Sequence, residues 1–293
     1  MKSYKLLYIL MIFAMIAWGE TWVSAKILNE YLSAKELIFW RFFWTAVGLV
    51  PILIYFRLSL KISFYNLIVV TVCAVLLAFY NLAFFLGTKY GLASFGGVLV
   101  TTLNPIVTFL LIAFISKRNL SLLETFALIV GAIGTMVILN VWTFDIELIF
   151  SKGNIYYLIA SFVWPLLTIT SAKQKNMNSL VFAFYMFGLT SFFVLGYLNF
   201  KVSNITVLDF RFWVNLLLLS LYGTTFATTV YFIGVKELGS KIASSFFFLV
   251  PTTSLIFSIV FLKEKLSASL IIGGILTILS VYMINFAKTR RIE

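Results

Sequence analysis

Histidine is absent from this 293-residue chain, cysteine occurs only as Cys73, and Asp and Glu together number 10. Without histidine or a second cysteine, the chain cannot build an intramolecular disulfide, a Cys/His metal site, a Cys–His dyad or a Ser-His-Asp triad. It also lacks the GxxxxGKS/T motif with which a P-loop binds ATP. These absences predict a protein that is not an enzyme and that carries no cofactor and no metal.

Charged residues are also scarce, at 11% of the chain, whereas apolar residues make up 62% and the mean hydropathy is +1.07. A water-soluble fold cannot hide so much apolar surface, so a lipid bilayer is predicted to surround the protein. The net charge of +12 could indicate nucleic acid, but no basic cluster accompanies a groove-reading motif. Positive loops facing the cytoplasm explain the charge instead, and no nucleic-acid partner is expected.

Ten apolar windows of about 17–25 residues have the length that an α-helix needs to cross the hydrocarbon core. They are predicted at residues 6–23, 37–56, 67–87, 94–115, 122–142, 155–171, 180–198, 212–233, 242–262 and 268–287. The predicted fold class is therefore all-α integral membrane, with ten transmembrane helices. The longest polar break in mid-chain, residues 143–154, divides them into two five-helix repeats, predicted at 1–145 and 146–293.

The second half of the chain repeats residues of the first half at an offset of 146. The positions Trp18, Ser33, Pro105, Lys117, Leu120 and Ser121 recur as Trp164, Ser179, Pro251, Lys263, Leu266 and Ser267. If each half carries five spans, an odd number, the second half enters the bilayer inverted relative to the first. Inverted repeats are typical of secondary transporters, because two near-equivalent halves can exchange inward-open and outward-open shapes around one central site.

Lys and Arg are distributed unevenly between the two sets of loops. If the N-terminus is cytoplasmic, thirteen lie in cytoplasmic segments and eight in external segments. Because Lys and Arg favour the cytoplasmic side, we expect both termini to be cytoplasmic in a multi-pass protein of the bacterial inner membrane. The first apolar run continues past Gly19 without a small-residue cleavage site, which predicts a retained span rather than a signal peptide.

Several short motifs resemble a known family. They are Trp18-Gly19 in span 1, Arg41 in span 2, Pro105 in span 4, and the run 261–267 followed by Ile272-Gly273-Gly274. Together, in two ordered copies, they resemble the EamA domains of ten-helix carriers in the drug/metabolite transporter superfamily. The resemblance implies export or exchange of small metabolites, often amino acids, through a cavity lined mainly by spans 1, 3, 4, 6, 8 and 9. The copies differ, since Gly19, Arg41 and Glu264 are matched by Pro165, Phe187 and Arg118.

Glu20 is the only carboxylate well inside a predicted span, about three or four residues from the outer end of span 1. Arg41 enters span 2 to a similar depth from the same side. Ionisable groups inside a membrane commonly mark ion or substrate pathways. One interpretation is that Glu20 binds a substrate amine or a coupling proton, while Arg41 binds a carboxylate or tunes Glu20. The alternative is a structural Glu20–Arg41 pair near the outer interface.

Other candidates are aromatic or polar side chains in spans expected to line the cavity. They are Trp18, Tyr80, Asn81, Trp164 and Tyr231. The alternative for each is a packed side chain, with any polar group satisfied by a neighbour, that does not contact substrate.

Three prolines are hinge candidates, because proline removes a helical hydrogen bond and can bend a helix. Pro165 lies in span 6, and Pro105 and Pro251 interrupt spans 4 and 9 at matching places, the second of them preceded by Ser244 and Ser245. Matched broken helices indicate a binding site or hinge, and an inherited packing kink is the alternative.

Small residues line spans 5 and 10. They are Ala127, Gly131 and Gly134 in span 5, and Gly273, Gly274 and Thr277 in span 10. Their spacing predicts close packing within the scaffold, with a homodimer contact as the alternative.

These features predict a secondary transporter that moves small metabolites, such as amino acids or related amphipathic solutes, by efflux or exchange through alternating access. A coupling proton carried by Glu20 is one possibility, and facilitated transport is another. The alternatives from other classes are an integral-membrane enzyme acting on lipids and a channel. Saturable flux with counterflow distinguishes a carrier from a channel, and product chemistry would reveal an enzyme.

The predicted orientation can be tested with single cysteines in a Cys73→Ser background. Lys175→Cys should react with a membrane-impermeant thiol reagent only from the cytoplasmic side, because its loop belongs to the positive set. Lys201→Cys should react only from outside and serves as the matched control. Labelling of position 175 from outside would refute the orientation.

Overall fold

The computed structural model describes residues 5–115, 117, 119–143, 147, 150–238 and 246–289, and no strand occurs in these ranges. The helices are α1 (Lys5–Leu28), α2 (Ala34–Tyr55), α3 (Phe64–Tyr90), α4 (Ala93–Ile115), α5 (Leu122–Ile138), α6 (Lys152–Ser171), α7 (Ser179–Tyr197), α8 (Phe210–Leu217), α9 (Ala227–Leu238), α10 (Leu249–Leu262) and α11 (Ala268–Thr289). Residues Leu218–Phe226 form a π-helix, here called the π segment, which joins α8 to α9 without a break. The boundary predicted at residues 145 and 146 and both extreme termini lie outside the described residues.

Seven helical stretches are long and apolar enough to cross a membrane, namely α1 to α4, α6, α7 and the rod formed by α8, the π segment and Tyr231 in α9. Three further apolar helices are shorter, at Leu122–Ile138, Leu249–Leu262 and Ala268–Ser280. All ten predicted windows overlap one of these helices, so the described residues form an all-helical membrane protein as predicted. Ten complete spans remain a prediction.

Side-chain caps fix where several helices begin. Ser33 and Glu36 form a capping box at the start of α2, and Ser121 and Glu124 form another at the start of α5. Such reciprocal bonds satisfy N–H groups that have no partner within the helix. Asp209 caps α8 by accepting from the Phe212 N–H at 2.9 Å, and this hydrogen bond lowers the pKa of the Asp209 carboxyl.

Two pairs of helices at equivalent places in the two halves, α2 with α7 and α5 with α11, run antiparallel to each other. In the α2–α7 pair, Lys35 contacts Tyr197 while Phe42, further along α2, stacks on Phe187 at 5.5 Å. In the α5–α11 pair, close approaches join Gly131 to Ser280, Gly134 to Thr277, and Ile138 to Gly273. In each pair, residue numbers increase along one helix in the direction in which they decrease along the other.

The bundle has two ends, named here by one residue each. At the Gly91 end α1 and α3 finish and α4 and α6 begin, and the backbones of Gly91 and Gly153 touch. At the Asn66 end α3 begins and α6 finishes, and Asn66 exchanges two hydrogen bonds with the backbone of Lys175, at 2.7 and 3.0 Å. The predicted orientation would make the Gly91 end external and the Asn66 end cytoplasmic.

The small residues of α5 and α11 are used in packing within this chain. A Cβ atom on Gly134 would lie 2.9 Å from the Thr277 backbone nitrogen, and one on Gly273 would lie 2.6 Å from the Gly134 carbonyl oxygen. The Ser280 hydroxyl donates to the Ala127 carbonyl at 2.6 Å. The interpretation of these residues as close scaffold packing therefore agrees with the structure, and a homodimer contact would have to use another surface.

The hinge prolines are not equivalent in the structure. Pro105 and Pro165 lie inside α4 and α6, whereas Pro251 lies in the first turn of α10. A 3-10 turn at Phe246–Phe248 runs directly into α10, so Pro251 lies just after the chain changes from 3-10 to α-helical form. The matched hinge roles of Pro105 and Pro251 stay a prediction. Ser244 and Ser245 lie outside the described residues.

We predict that Gly134→Ala destabilises the protein by about 1–3 kcal/mol, because the added methyl group would overlap backbone atoms of α11. Gly188→Ala in α7 is the matched control, since a Cβ there meets no atom within 4 Å. Alanine should even favour the helix at that position, by up to about 1 kcal/mol. Thermal unfolding of the detergent-solubilised variants measures both effects, and equal melting temperatures would contradict the packing.

Candidate functional site

Arg41 is a buried cation held by uncharged oxygen atoms. Its side chain is 9% exposed. Nε and Nη2 donate to the Thr224 hydroxyl at 3.1 and 3.0 Å, and Nη1 donates to the Asn81 side-chain oxygen at 2.8 Å. Asn81 is itself fixed by donating to the Leu77 carbonyl at 2.9 Å. Arg41 on α2 therefore reaches both α3 and the π segment.

The π segment positions Thr224 for this contact. Within it, the Thr224 hydroxyl donates to the Leu219 carbonyl at 2.8 Å, five residues back. Thr45 of α2 donates to the Ser220 carbonyl at 3.1 Å, and Thr225 donates to the Thr45 carbonyl at 3.2 Å. These bonds hold α2 against the π segment, and π-helical turns are frequent at functional sites.

Glu20 lies well inside α1, which extends beyond the predicted span. α1 extends to Leu28, so Glu20 lies about 12 Å from the end of its helix at 1.5 Å per residue. Its side chain is 7% exposed, with Oε1 bonded to the Ser24 hydroxyl and Oε2 without a hydrogen-bond partner among the described residues. Because the carboxyl is buried, it does not reach the interface by snorkelling.

The direct Glu20–Arg41 pair, one of the two alternatives, is absent from the described ion pairs. Arg41 bonds to Thr224 and Asn81 instead, and Glu20 bonds to Ser24. The two charges affect each other only through space. Glu20 and Arg41 therefore occupy separate polar contacts within one region of the bundle.

The Ser24 hydroxyl links Glu20 to α8. Ser24 Oγ also lies 3.0 Å from Asn215 Oδ1. Asn215 Nδ2 donates to the Arg211 carbonyl at 2.7 Å, which fixes the side-chain oxygen of Asn215 toward Ser24. Asn215 was not predicted as a site residue. Its polar side chain within a predicted apolar span was a sequence feature that could have identified it.

The aromatic candidates form two groups, each of which joins the two halves. In one, Trp164 packs on Tyr80 with ring centroids 4.7 Å apart, and Tyr80 stacks on Phe84 at 6.2 Å. In the other, Trp18 packs on Tyr231 and on Phe247, both at 5.1 Å. Phe84 and Phe247 were missed, because nothing in their local sequence distinguishes them from the other phenylalanines.

Exposed side chains of α6 fall on two opposite faces. One face carries a stripe at helical spacing that suits contact with lipid, made of Ile155, Ile159, Phe162 and Leu166. On the opposite face Tyr157 and Ser161 are buried, whereas Trp164 is partly exposed and Thr168 is exposed. The inner face of α6 is therefore buried toward the Gly91 end and more exposed toward the Asn66 end, where Thr168 lies; this more exposed part is called the open face of α6.

Polar contacts close the Gly91 end. The Glu264 carboxylate accepts from the Ala93 and Ser94 N–H groups, both at 2.9 Å, and so caps α4. The Tyr157 hydroxyl donates to the Leu92 carbonyl at 2.7 Å, and the Lys26 ammonium donates to the Gly91 carbonyl at 2.5 Å. Glu264 and Tyr157 belong to the second half of the chain, and both bond to backbone groups of the first half.

Asn104 compensates for a proline in another helix. Pro165 has no N–H, so the Ser161 carbonyl four residues earlier lacks its helical donor. In the amide orientation that satisfies its neighbours, Asn104 donates to that carbonyl at 3.3 Å and to the Val100 carbonyl at 3.2 Å. A freed carbonyl at membrane depth survives where protein supplies a donor, and here α4 supplies it to α6.

Long apolar helices surrounding a buried cation and a buried carboxyl define an integral membrane protein with a polar centre. The chain belongs to the EamA-like transporter family, whose model matches residues 5–140 and again residues 151–286. The family resemblance inferred from the sequence is thereby confirmed. The two matched segments begin 146 residues apart, which is the offset of the sequence repeat.

Relatives along most of the chain are also transporters. The uncharacterized transporter YyaM of Bacillus subtilis (strain 168) is 24% identical over 284 residues, covering 94% of this chain and 92% of its own. The S-adenosylmethionine uptake transporter of Rickettsia prowazekii (strain Madrid E) is 28% identical over 167 residues, covering 55% of this chain and 53% of its own. A crystal structure that aligns over 99% of both chains has a TM-score of 0.69 at 16% identity, which shows a shared fold.

We predict that Thr224→Val costs about 1–3 kcal/mol in the free energy of unfolding, because two buried guanidinium donors lose their acceptor. Thr228→Val is the matched control, since Thr228 is buried in the same rod and does not contact Arg41. Thermal unfolding in detergent measures the difference. Equal effects of the two substitutions would show that the Arg41–Thr224 contact does not stabilise the fold.

Proposed function

We propose that the protein is a secondary transporter that moves small amphipathic metabolites across the bacterial inner membrane, by efflux or exchange through alternating access. Its architecture is two inverted five-helix repeats with ten spans and cytoplasmic termini. Family membership supports transport. The antiparallel contacts of α2 with α7 and of α5 with α11 support inversion, because equivalent helices of inverted repeats point in opposite directions.

We further propose that Glu20 carries a coupling proton, and the hydrogen bonds of Ser24 are the observation that carries this proposal. A serine hydroxyl has one proton to donate. With Glu20 ionised, both neighbours of Ser24 are acceptors, the Glu20 carboxylate and the Asn215 side-chain oxygen. With Glu20 protonated, the carboxyl donates to Ser24 and Ser24 donates to Asn215. The described arrangement is therefore satisfied only when one proton is bound.

The surroundings of Glu20 contain few other ionisable groups. Arg41 from α2 and Tyr222 from the π segment interact with it electrostatically. Tyr80 from α3 lies near Arg41, and Tyr231 from α9 packs on Trp18. The helices α4 and α10, which also contact α1, contain no ionisable residue. Glu20 is the acid in this region that can change its charge during transport.

Alternating access gives the proton a route on and off Glu20. The contact between Ser24 and Asn215 joins α1 in the first half to α8 in the second half. A movement that separates these helices would remove the partner that favours the protonated carboxyl. In the predicted orientation, the open inner face of α6 faces the cytoplasm and the closed Gly91 end faces outside. Pro105, Pro165 and Pro251, which lie in α4, α6 and α10, are the proposed hinges.

The substrate class is proposed from the site and from one relative. Tyr80, Trp164, Trp18 and Tyr231 offer aromatic faces with polar edges, which suit an amphipathic solute. The Rickettsia relative is named for uptake of S-adenosylmethionine, an amino-acid derivative. Amino acids and related solutes are therefore the first compounds to screen, by comparing the metabolites of cells with and without the protein.

We predict that Glu20→Gln abolishes the dependence of solute flux on a proton gradient, because glutamine cannot bind and release a proton. Gradient-driven accumulation in proteoliposomes should fall by roughly tenfold or more, while exchange of solute for solute continues. Glu30→Gln is the control, since Glu30 is exposed and paired with Arg211. Gradient-driven accumulation by Glu20→Gln at wild-type rates would exclude Glu20 as the proton carrier.

A further inference from the structure

The charge of Arg41 has no counter-ion in the described structure. No carboxylate among the described residues lies within 4.0 Å of its guanidinium, whose hydrogen bonds go to Thr224 and Asn81. A guanidinium has five N–H groups, and three of them make these bonds. A buried charge without a partner is costly. Two N–H groups of Arg41 therefore make no hydrogen bond to the described residues, and its positive charge has no ion-pair partner among them.

A row of aromatic rings leads from Arg41 to the open face of α6. The guanidinium carbon lies 5.4 Å from the centroid of Phe84, Phe84 stacks on Tyr80 at 6.2 Å, and Tyr80 contacts Trp164 at 4.7 Å. Phe84 is buried, whereas Tyr80 and Trp164 are partly exposed. The row thus joins a buried cation to the side of α6 that is open toward the Asn66 end.

We propose that Arg41 binds the carboxylate of an organic anion whose planar, apolar body lies against Phe84, Tyr80 and Trp164. The inference rests on the proposed transport function and narrows its substrate class. A guanidinium presents paired N–H groups that match the two oxygens of a carboxylate. The aromatic faces accept a flat apolar group without requiring hydrogen bonds from it.

The charges around the site favour an anion over a cation. Within the described helices, the other acids lie near helix ends, as Glu36 and Glu124 do, so Glu20 is the carboxyl of the central region. When Glu20 is protonated, no negative charge remains there to bind an ammonium group. A cationic solute would meet the uncompensated charge of Arg41 at close range. The site therefore discriminates by charge as well as by shape.

The test measures equilibrium binding to the purified full-length protein and does not require transport. The probes are phenylacetate and benzoate as anions, benzamide as a neutral compound of the same shape, and benzylamine as a cation. Binding is followed by thermal stabilisation and by tryptophan fluorescence, because Trp164 lies in the row of rings. We expect both carboxylates to bind at least roughly tenfold more tightly than benzamide or benzylamine.

Three variants test the role of Arg41. Arg41→Gln should lose the preference for carboxylates, and Arg41→Lys should retain part of it, because the charge remains but the fork geometry is lost. Asn81→Asp should abolish carboxylate binding while the protein stays folded, since it places a carboxylate beside Nη1, where the Asn81 oxygen now accepts at 2.8 Å. Arg211→Gln, which removes an exposed cation, is the control and should bind carboxylates as wild type does.

Each outcome supports or overturns the proposal. Undiminished carboxylate binding by Asn81→Asp or Arg41→Gln would overturn it, as would tighter binding of benzylamine or the failure of both carboxylates to bind. The proposed transport function fails separately, in proteoliposomes. Arg41-dependent binding without any solute flux would support the anion site and contradict the proposed transport function. Proton-coupled flux without a charge preference in binding would support transport and contradict the anion site.

Discussion

A guanidinium inside a membrane protein must find oxygen atoms within the protein, and this constraint organises the centre of the structure. Lipid offers no hydrogen bonds, so the three bonded N–H groups of Arg41 depend on neighbouring helices. Asn81 supplies one acceptor from α3, and Thr224 supplies another from the π segment. Thr45 and Thr225 then join α2 to the same segment. Three helices meet around one charge, and two of them belong to the first half of the chain.

The sequence predicted the parts of the structure that depend on local pattern. Apolar windows located the helices, and rare charges inside them identified Glu20 and Arg41. The partners of these charges were not predictable in the same way. Thr224 faces Arg41 from a segment that is π-helical at residues 218–226. No local sequence pattern predicts this π-helix. The Glu20–Arg41 pair looked plausible because both residues entered their spans to similar depths, but depth does not determine which faces of α1 and α2 meet.

Similar limits apply to the repeats. Equal spacing predicted equal hinge roles for Pro105 and Pro251, but it did not predict their different settings, since Pro105 lies inside α4 and Pro251 lies near the junction of a 3-10 turn with α10. Spacing predicted the small-residue contacts better, because a glycine lets two backbones approach wherever its helix packs, as Gly134 and Gly273 do. Trp18 and Trp164, which occupy repeated positions, also make similar contacts. Each packs on an aromatic ring of the opposite half, Tyr231 and Tyr80 respectively.

The two halves differ at the position of Arg41, and the proposed binding and movement would be linked through this difference. The position that repeats Arg41 is Phe187, which stacks on Phe42 and carries no charge. The scaffold is thus nearly repeated, while the charge occurs once and is shared, because Asn81 lies in the first half and Thr224 in the second. A shift between the halves would separate Thr224 from Arg41 and leave two donors unpaired. The proposed anion, which bonds to the two remaining N–H groups of Arg41, would gain these two as well and so favour the shifted state, because a ligand changes an equilibrium only through such differential contacts. The contacts between Arg41 and Thr224 would therefore make the proposed rearrangement depend on the bound anion.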